Sequence, residues 1–179
     1  MSSPDGRKPW RRCARRDRGH RGNGGPVPHA DNPEDLARFV RAQDDVYEQA
    51  LSEIRRGHKR THWMWFVFPQ LDGLGSSPTA KLYAIKSAGE AVAYLAHPVL
   101  GPRLQECVQA LLVLEGESAS EIFGFPDDLK LRSCATLFGA ISPPGSIFQR
   151  LLEKYFPDGP DPATLRLLKR GYDSQPPLE

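Results

Sequence analysis

Seven side chains carry most of the chemistry this sequence offers: Gln43, His62, Trp63, Trp65, Gln70, Asp127 and Lys130. A polar group among apolar neighbours costs free energy unless it is hydrogen-bonded, so each polar member needs an internal partner or a ligand. At 100° per residue, Gln43 falls in the middle of a stripe made by Leu36, Val40, Tyr47, Ala50 and Ile54. It reads either as a core glutamine bonded to backbone or as a ligand contact. Lys130 sits on the row of Cys134, Leu137 and Ile141, one turn after Asp127 and at ion-pair spacing from it. Those two read as a structural pair or as an anion-handling and catalytic pair, since a lysine in a dry setting titrates in a useful range. The block His62-Trp63-Met64-Trp65-Phe66-Val67-Phe68-Pro69-Gln70 holds four large aromatics in six residues. Packing is one use of such a block. The other is a pocket wall, with Trp63 and Trp65 stacking on a flat ring while His62 and Gln70 bond its edges.

The remaining motifs exclude more than they assert. The loop Gly73-Leu74-Gly75-Ser76-Ser77-Pro78 offers backbone N–H groups to an anion, but it lacks the lysine of a Walker loop and reads equally as a plain turn. His58 and His62 have i, i+4 spacing without the glutamate of a zinc-protease helix, so no metal site is expected. No GxSxG motif is present, and Ser133, Cys107 and Cys134 fall within amphipathic patterns. The pairs Asp44-Asp45 and Asp127-Asp128 diverge by 100° on a helix and do not form carboxylate dyads. Three cysteines, none in a CxxC, rule out a disulfide scaffold. No cofactor motif is found.

These side chains must be positioned by helices, because helix signals recur along residues 31–170. Asn32 and Pro33 open one, which keeps 3.6-residue apolar spacing until Gly57. Ser87-x-x-Glu90 and Ser118-x-x-Glu121 are capping-box patterns. Pro102 opens an apolar helix through Leu114, and Asp127 or Asp128 caps another that ends before Pro143-Pro144. Ile147–Phe156 is amphipathic, and Asp161-Pro162 repeats the cap-proline start. Trp63–Phe68 is the one strand-like run, and no partner run follows it. The expectation is an all-α fold: a compact orthogonal bundle of about seven short helices, with 171–179 frayed.

Charge divides the chain. Residues 1–22 hold eight basic and two acidic side chains, a net of +6, whereas residues 23–179 hold 16 basic and 20 acidic, a net of −4. The arm is rich in Arg, Gly and Pro, and residues 1–30 read as a disordered basic tail and linker. An arginine-rich arm can contact nucleic acid or another acidic partner through its charges, with Trp10 stacking. It can equally be an upstream extension without function. No apolar run reaches the roughly 18 residues of a membrane span. No h-region follows the twin arginines, so the expected location is cytoplasmic.

The motifs also carry a resemblance. Ala42-Gln43, Tyr47, Gly57-x-Lys59-x-x-His62 with the aromatic block, Gly73-Leu74-Gly75, His97-Pro98-x-Leu100-Gly101-x-Arg103-Leu104 and Ile122-Phe123-Gly124-x-x-Asp127-x-x-Lys130-x-x-Ser133 occur in an order that resembles domain-of-unknown-function family 1810 over residues 31–170. The resemblance implies a mainly helical domain and transfers no catalytic residue. Members often carry the label calpastatin. Calpastatins are disordered inhibitors, which the capped, apolar body here does not resemble. Over about 25 residues, Asp127-x-x-Lys130 through Phe138 and on to Leu151-Leu152 is also similar to the C-terminal half of the helical NADAR family, which implies chemistry on an N-glycosidic or ADP-ribose-type substrate. Two functions follow as expectations. One is a pocket for a nucleotide-like or ribosylated compound, with Asp127 and Lys130 as catalytic candidates if a hydrolase is at work. The other is a non-enzymatic interaction domain acting through residues 1–22.

Overall fold

The computed structural model describes residues 36–173. The basic arm, its nucleic-acid reading and the Asn32–Pro33 helix start lie outside the described residues, as do 174–179. Within them the fold is all-α, with ten helices rather than about seven.

The pattern that ran from Asn32 to Gly57 predicts one helix, but two form: α1 (Ala37–Gln43) and α2 (Tyr47–Arg55). No glycine or proline marks the break at 44–46. Tertiary partners hold it, because the Gln43 side chain reaches across to Phe66 and Tyr94, and Arg103 lies near both Gln43 and Asp44. Gly57, with φ of +65°, ends α2 as expected from its tolerance of left-handed backbone. The strand-like run Trp63–Phe68 folds as the one-turn helix α3 (Met64–Val67), in keeping with the all-α expectation. Among the described residues no strand lies beside it to take its backbone groups, and a turn of helix satisfies them locally. Helix α4 (Pro78–Leu82) follows, and an isolated parallel bridge between Leu71 and Ile85 ties the two ends of the 70–85 segment together. Its two bonds run from Ile85 N to Gln70 O and from Asp72 N to Ile85 O, both 2.8 Å.

The remaining helices begin close to their sequence signals. Ser87 caps α5 (Ala88–Ala96), though Glu90 does not complete the box. Its buried carboxylate turns instead to Lys86 N at 2.5 Å and Arg38 at 2.6 Å. Helix α6 (Leu100–Val113) has no cap from its own Val99. His97 Nδ1 accepts from the Val99 and Leu100 amides at 3.2 and 3.3 Å and does that work. At the far end of α6, Lys154 donates to the carbonyls of Leu111, Leu112 and Leu114, satisfying a terminus that glycine usually closes. Ser118 and Glu121 form a reciprocal capping box on α7 (Ala119–Phe123). Helix α8 (Asp127–Ile141) is capped by neither Asp127 nor Asp128, a second departure from expectation. Asp128 bonds Ser120 Oγ and Leu129 N, whereas Asp127 is drawn to two lysines. Ser146 caps α9 (Ile147–Tyr155), and Asp161 caps α10 (Pro162–Asp173) through Thr164 N at 2.9 Å.

Helices α6 and α8 form the centre. Each buries most of its circumference, α6 against α2, α5 and α9, and α8 against α5, α7, α9 and α10. Tilted and edge-to-face rings link Phe39, Tyr94, Phe138 and Phe148 through the middle. Trp63, Phe68 and Phe123 form a second ring cluster beside it. Among the described residues no helix is long and apolar enough to cross a membrane.

Candidate functional site

The aromatic block divides its two tryptophans between core and surface. Trp63 is 1% exposed. Its indole N–H donates to Glu53 Oε2 at 2.8 Å. The same carboxylate accepts from the Arg60 and Thr61 amides and the Thr61 hydroxyl. Glu53 thereby ties the end of α2 to the whole 60–63 turn and sets where α3 begins. Burial alone would raise its pKa. The four donors outweigh burial and bring it down to about 2.

Trp65, two residues on, is half-buried and lines a cleft of about 450 Å³. Gln70, the Leu74–Ser77 loop, Lys130 and Ser133 of α8, and Asp161 before α10 line it with Trp65. The Leu71–Ile85 bridge holds the Gln70 backbone, and the first two turns of α8 present Lys130 and Ser133 three residues apart. Lys130 Nζ lies 4.4 Å from the centre of the Trp65 ring, a cation–π contact, and 2.8 Å from Asp127 Oδ1. Asp127 Oδ2 lies 2.6 Å from Lys59 Nζ. Burial pushes the Asp127 carboxyl up, but the two lysines more than reverse this and hold it below the usual aspartate range. Ser133 Oγ is 3.1 Å from both Leu129 O and Asp161 Oδ2. Asp161 also accepts from Thr164 N, Thr164 Oγ1 and Ala163 N, and these donors overcome its burial to lower its pKa.

Of the seven side chains singled out in the sequence, the cleft brings together Trp65, Gln70 and Lys130, with Asp127 behind Lys130. Three others lie outside this cleft. Gln43 is buried, its amide donating to Phe66 O at 2.7 Å and Tyr94 Oη at 3.0 Å, while its Oε1 faces Arg103 at 3.4 Å. Every polar atom it has is occupied inside the fold. Trp63 is likewise occupied by Glu53 and its ring neighbours. His62 is exposed and does not line the cleft. The 73–78 loop, which also read as a plain turn, supplies part of the cleft wall.

The sequence alone assigns no site role to Lys59, Glu53, Ser133 or Asp161. Ser133 was visible in the three-residue spacing Asp127-x-x-Lys130-x-x-Ser133, which shares one side of α8. Asp161 read only as a cap. Lys59 and Glu53 gave no local signal, because their partners arrive through tertiary contact. The two buried cysteines offer no nucleophile: burial pushes the Cys107 thiol up to about 12 and Cys134 well above its usual value. Among the described residues no group of three or more His, Cys, Asp or Glu side chains is placed to hold a metal ion.

Gln43 yields a direct test of its internal role. Gln43→Leu is expected to lower stability by about 1–3 kcal/mol, because Phe66 O and the Tyr94 hydroxyl lose a buried partner. Denaturant unfolding measures it. A change below about 0.5 kcal/mol would mean those groups find replacements.

Fold and site together define an all-α protein whose surface carries a tryptophan–lysine cleft buttressed by partly buried carboxylates. The chain belongs to the family described as protein of unknown function (DUF1810), whose model matches residues 33–168. It is similar to a solved structure, the conserved hypothetical protein Rv1873 from Mycobacterium tuberculosis. The two share 54% identity and a TM-score of 0.75, over 77% of this chain and 99% of that one. The search of curated proteins gives no match.

Proposed function

We propose that the cleft beside Trp65 binds a small compound with a flat polar ring, of the nucleotide-like or ribosylated class. The observation that carries this reading is the grouping of three different recognition groups in one hollow. A half-buried indole and a side-chain amide from the 65–70 segment and an ammonium from α8 line it together. Ligand sites combine an apolar wall with a few converging polar groups in this way, and about 450 Å³ lies in their usual size range. Trp65 stacks on the ring, Gln70 bonds its edge, and Lys130 meets its charge.

The reading is of binding rather than turnover. Hydrolysis at an N-glycosidic carbon needs a carboxylate able to take a proton from water. Asp127 is held by two lysines and Asp161 by four donors, so the oxygens of both carboxylates near the cleft are already taken by partners inside the fold.

Calorimetric titration against a panel of nucleosides, nucleotides, NAD and ADP-ribose tests the reading. At least one compound is expected to bind. Trp65→Leu is expected to weaken it by about tenfold or more, the scale of a lost stacking contact. His62→Ala, outside the cleft, should leave it unchanged. A flat response to the whole panel, with melting curves showing folded protein, would overturn the reading.

A further inference from the structure

We propose that the cleft holds its ligand by a phosphate group at Lys130, and that the buried Lys59, which never touches the ligand, supplies the excess charge that makes this favourable. This deepens the cleft reading and rests on it. Lys59, Asp127 and Lys130 form a linear trio in which each carboxylate oxygen takes one ammonium: 2.6 Å from Oδ2 to Lys59 Nζ and 2.8 Å from Oδ1 to Lys130 Nζ. Their side chains are only 8%, 16% and 19% exposed. Two positive charges against one negative leave the trio at +1 in a poorly hydrated position. A partly buried unit charge is costly unless an anion meets it.

Only Lys130 of the three lines the cleft, so the anion must be met there. An ammonium has three donors. One of Lys130's goes to Asp127 and the Trp65 ring face takes a second direction. One donor is left for a ligand. The other charge on the cleft wall is Asp161, which opposes an anion. Its oxygens already accept from Ser133, Thr164 and Ala163, and it sits at the positive end of the 12-residue α10, which offsets its field. Gln70, Ser76 and Ser77 are neutral. The trio thus makes the Lys130 side of the cleft locally positive on a body whose residues 23–179 sum to −4, while Asp161 on the same wall brings the formal charge of the lining to zero. With Trp65 against the same ammonium, phosphate and flat ring are received side by side. That geometry fits a nucleotide better than a nucleoside.

The test compares adenosine with AMP, and inorganic phosphate with both, by titration calorimetry on the full chain. AMP is expected to bind roughly tenfold or more tightly than adenosine, and its affinity to fall with added salt while adenosine's does not. Lys59→Met is expected to weaken AMP by about tenfold and leave adenosine within twofold, whereas Lys59→Arg keeps the wild-type difference. Melting curves on each variant separate a charge effect from a loss of fold. Equal binding of AMP and adenosine, or an AMP affinity indifferent to Lys59→Met in folded protein, would overturn the phosphate assignment and leave the cleft reading standing. Binding of neither compound nor of any other member of the panel would overturn both. Binding of inorganic phosphate alone would retain the Lys130 anion site and overturn the ring.

Discussion

Glu53→Gln is expected to lower the stability of this protein by roughly 3 kcal/mol, a fall of about 6–12 °C in Tm for a chain of this size. The carboxylate accepts at once from the Arg60 amide, the Thr61 amide and hydroxyl, and the Trp63 indole. Glutamine keeps the shape but replaces one acceptor oxygen with an NH₂ group, which then faces donors. The lost charge leaves buried N–H groups short of a partner, one of the few single-residue changes that costs several kcal/mol. The sign with pH follows from the lowered pKa. Folded Glu53 sits at about 2 against an unfolded value of 4.5, so its contribution is fully present above pH 4.5 and is lost as pH falls towards 2. The gap in stability between wild type and Glu53→Gln should therefore be widest at neutral pH and shrink on acidification. A gap that stays constant from pH 6 to pH 2.5 would mean the charge is not what matters. Since Glu53 sets the turn that places α3, the variant should also weaken any ligand of the Trp65 cleft even where it remains folded.

The second large effect is steric. Gly101→Ala is expected to cost on the order of 3 kcal/mol or to prevent folding. A Cβ at Gly101 would lie 2.0 Å from Leu95 O and 2.9 Å from Leu95 C, and both are backbone atoms near the end of α5 that cannot rotate away. The glycine permits the tight corner at which His97 caps α6 and the first turn of α6 passes under α5. Gly89→Ala is the matched control. It lies within α5, where a Cβ meets nothing closer than Ser87 Oγ at 3.6 Å. Alanine should therefore stabilise there by about 0.5–1 kcal/mol through helix propensity. Thermal melts of the two variants check the opposite signs. A mild Gly101→Ala would show that the α5–α6 corner opens cheaply.

How much of this was legible beforehand depends on the range of the interaction. Caps at Ser87, Ser118, Ser146 and Asp161 act on amides within three residues of themselves. Three of the four are legible in the sequence, whereas Ser146 carries no cap signal there beyond preceding the amphipathic run Ile147–Phe156. The all-α class and the core faces of α6 and α8 followed from 3.6-residue spacing for the same reason. The break at 44–46 was not legible, because the sequence there contains no breaker and the cause is Gln43 reaching for Phe66 and Tyr94. The Trp63–Phe68 run was ambiguous because a short apolar block fits a strand or a buried turn of helix equally well.

The same division runs through the site. Residue type and local spacing by themselves established that Trp65, Gln70, Asp127 and Lys130 are unusual, and that Asp127 and Lys130 can pair one turn apart on α8. Only the tertiary structure decided that Trp65, Gln70 and Lys130 line one cleft while Gln43 and Trp63 turn inward. It also decided that Lys59, far away in the chain, completes the charge on Asp127. The physical reason is that periodicity reports which face of a helix is apolar, but not what lies opposite it. A hydrogen bond or an ion pair across helices depends on where a second segment comes to rest, and that is set by the packing of the whole core.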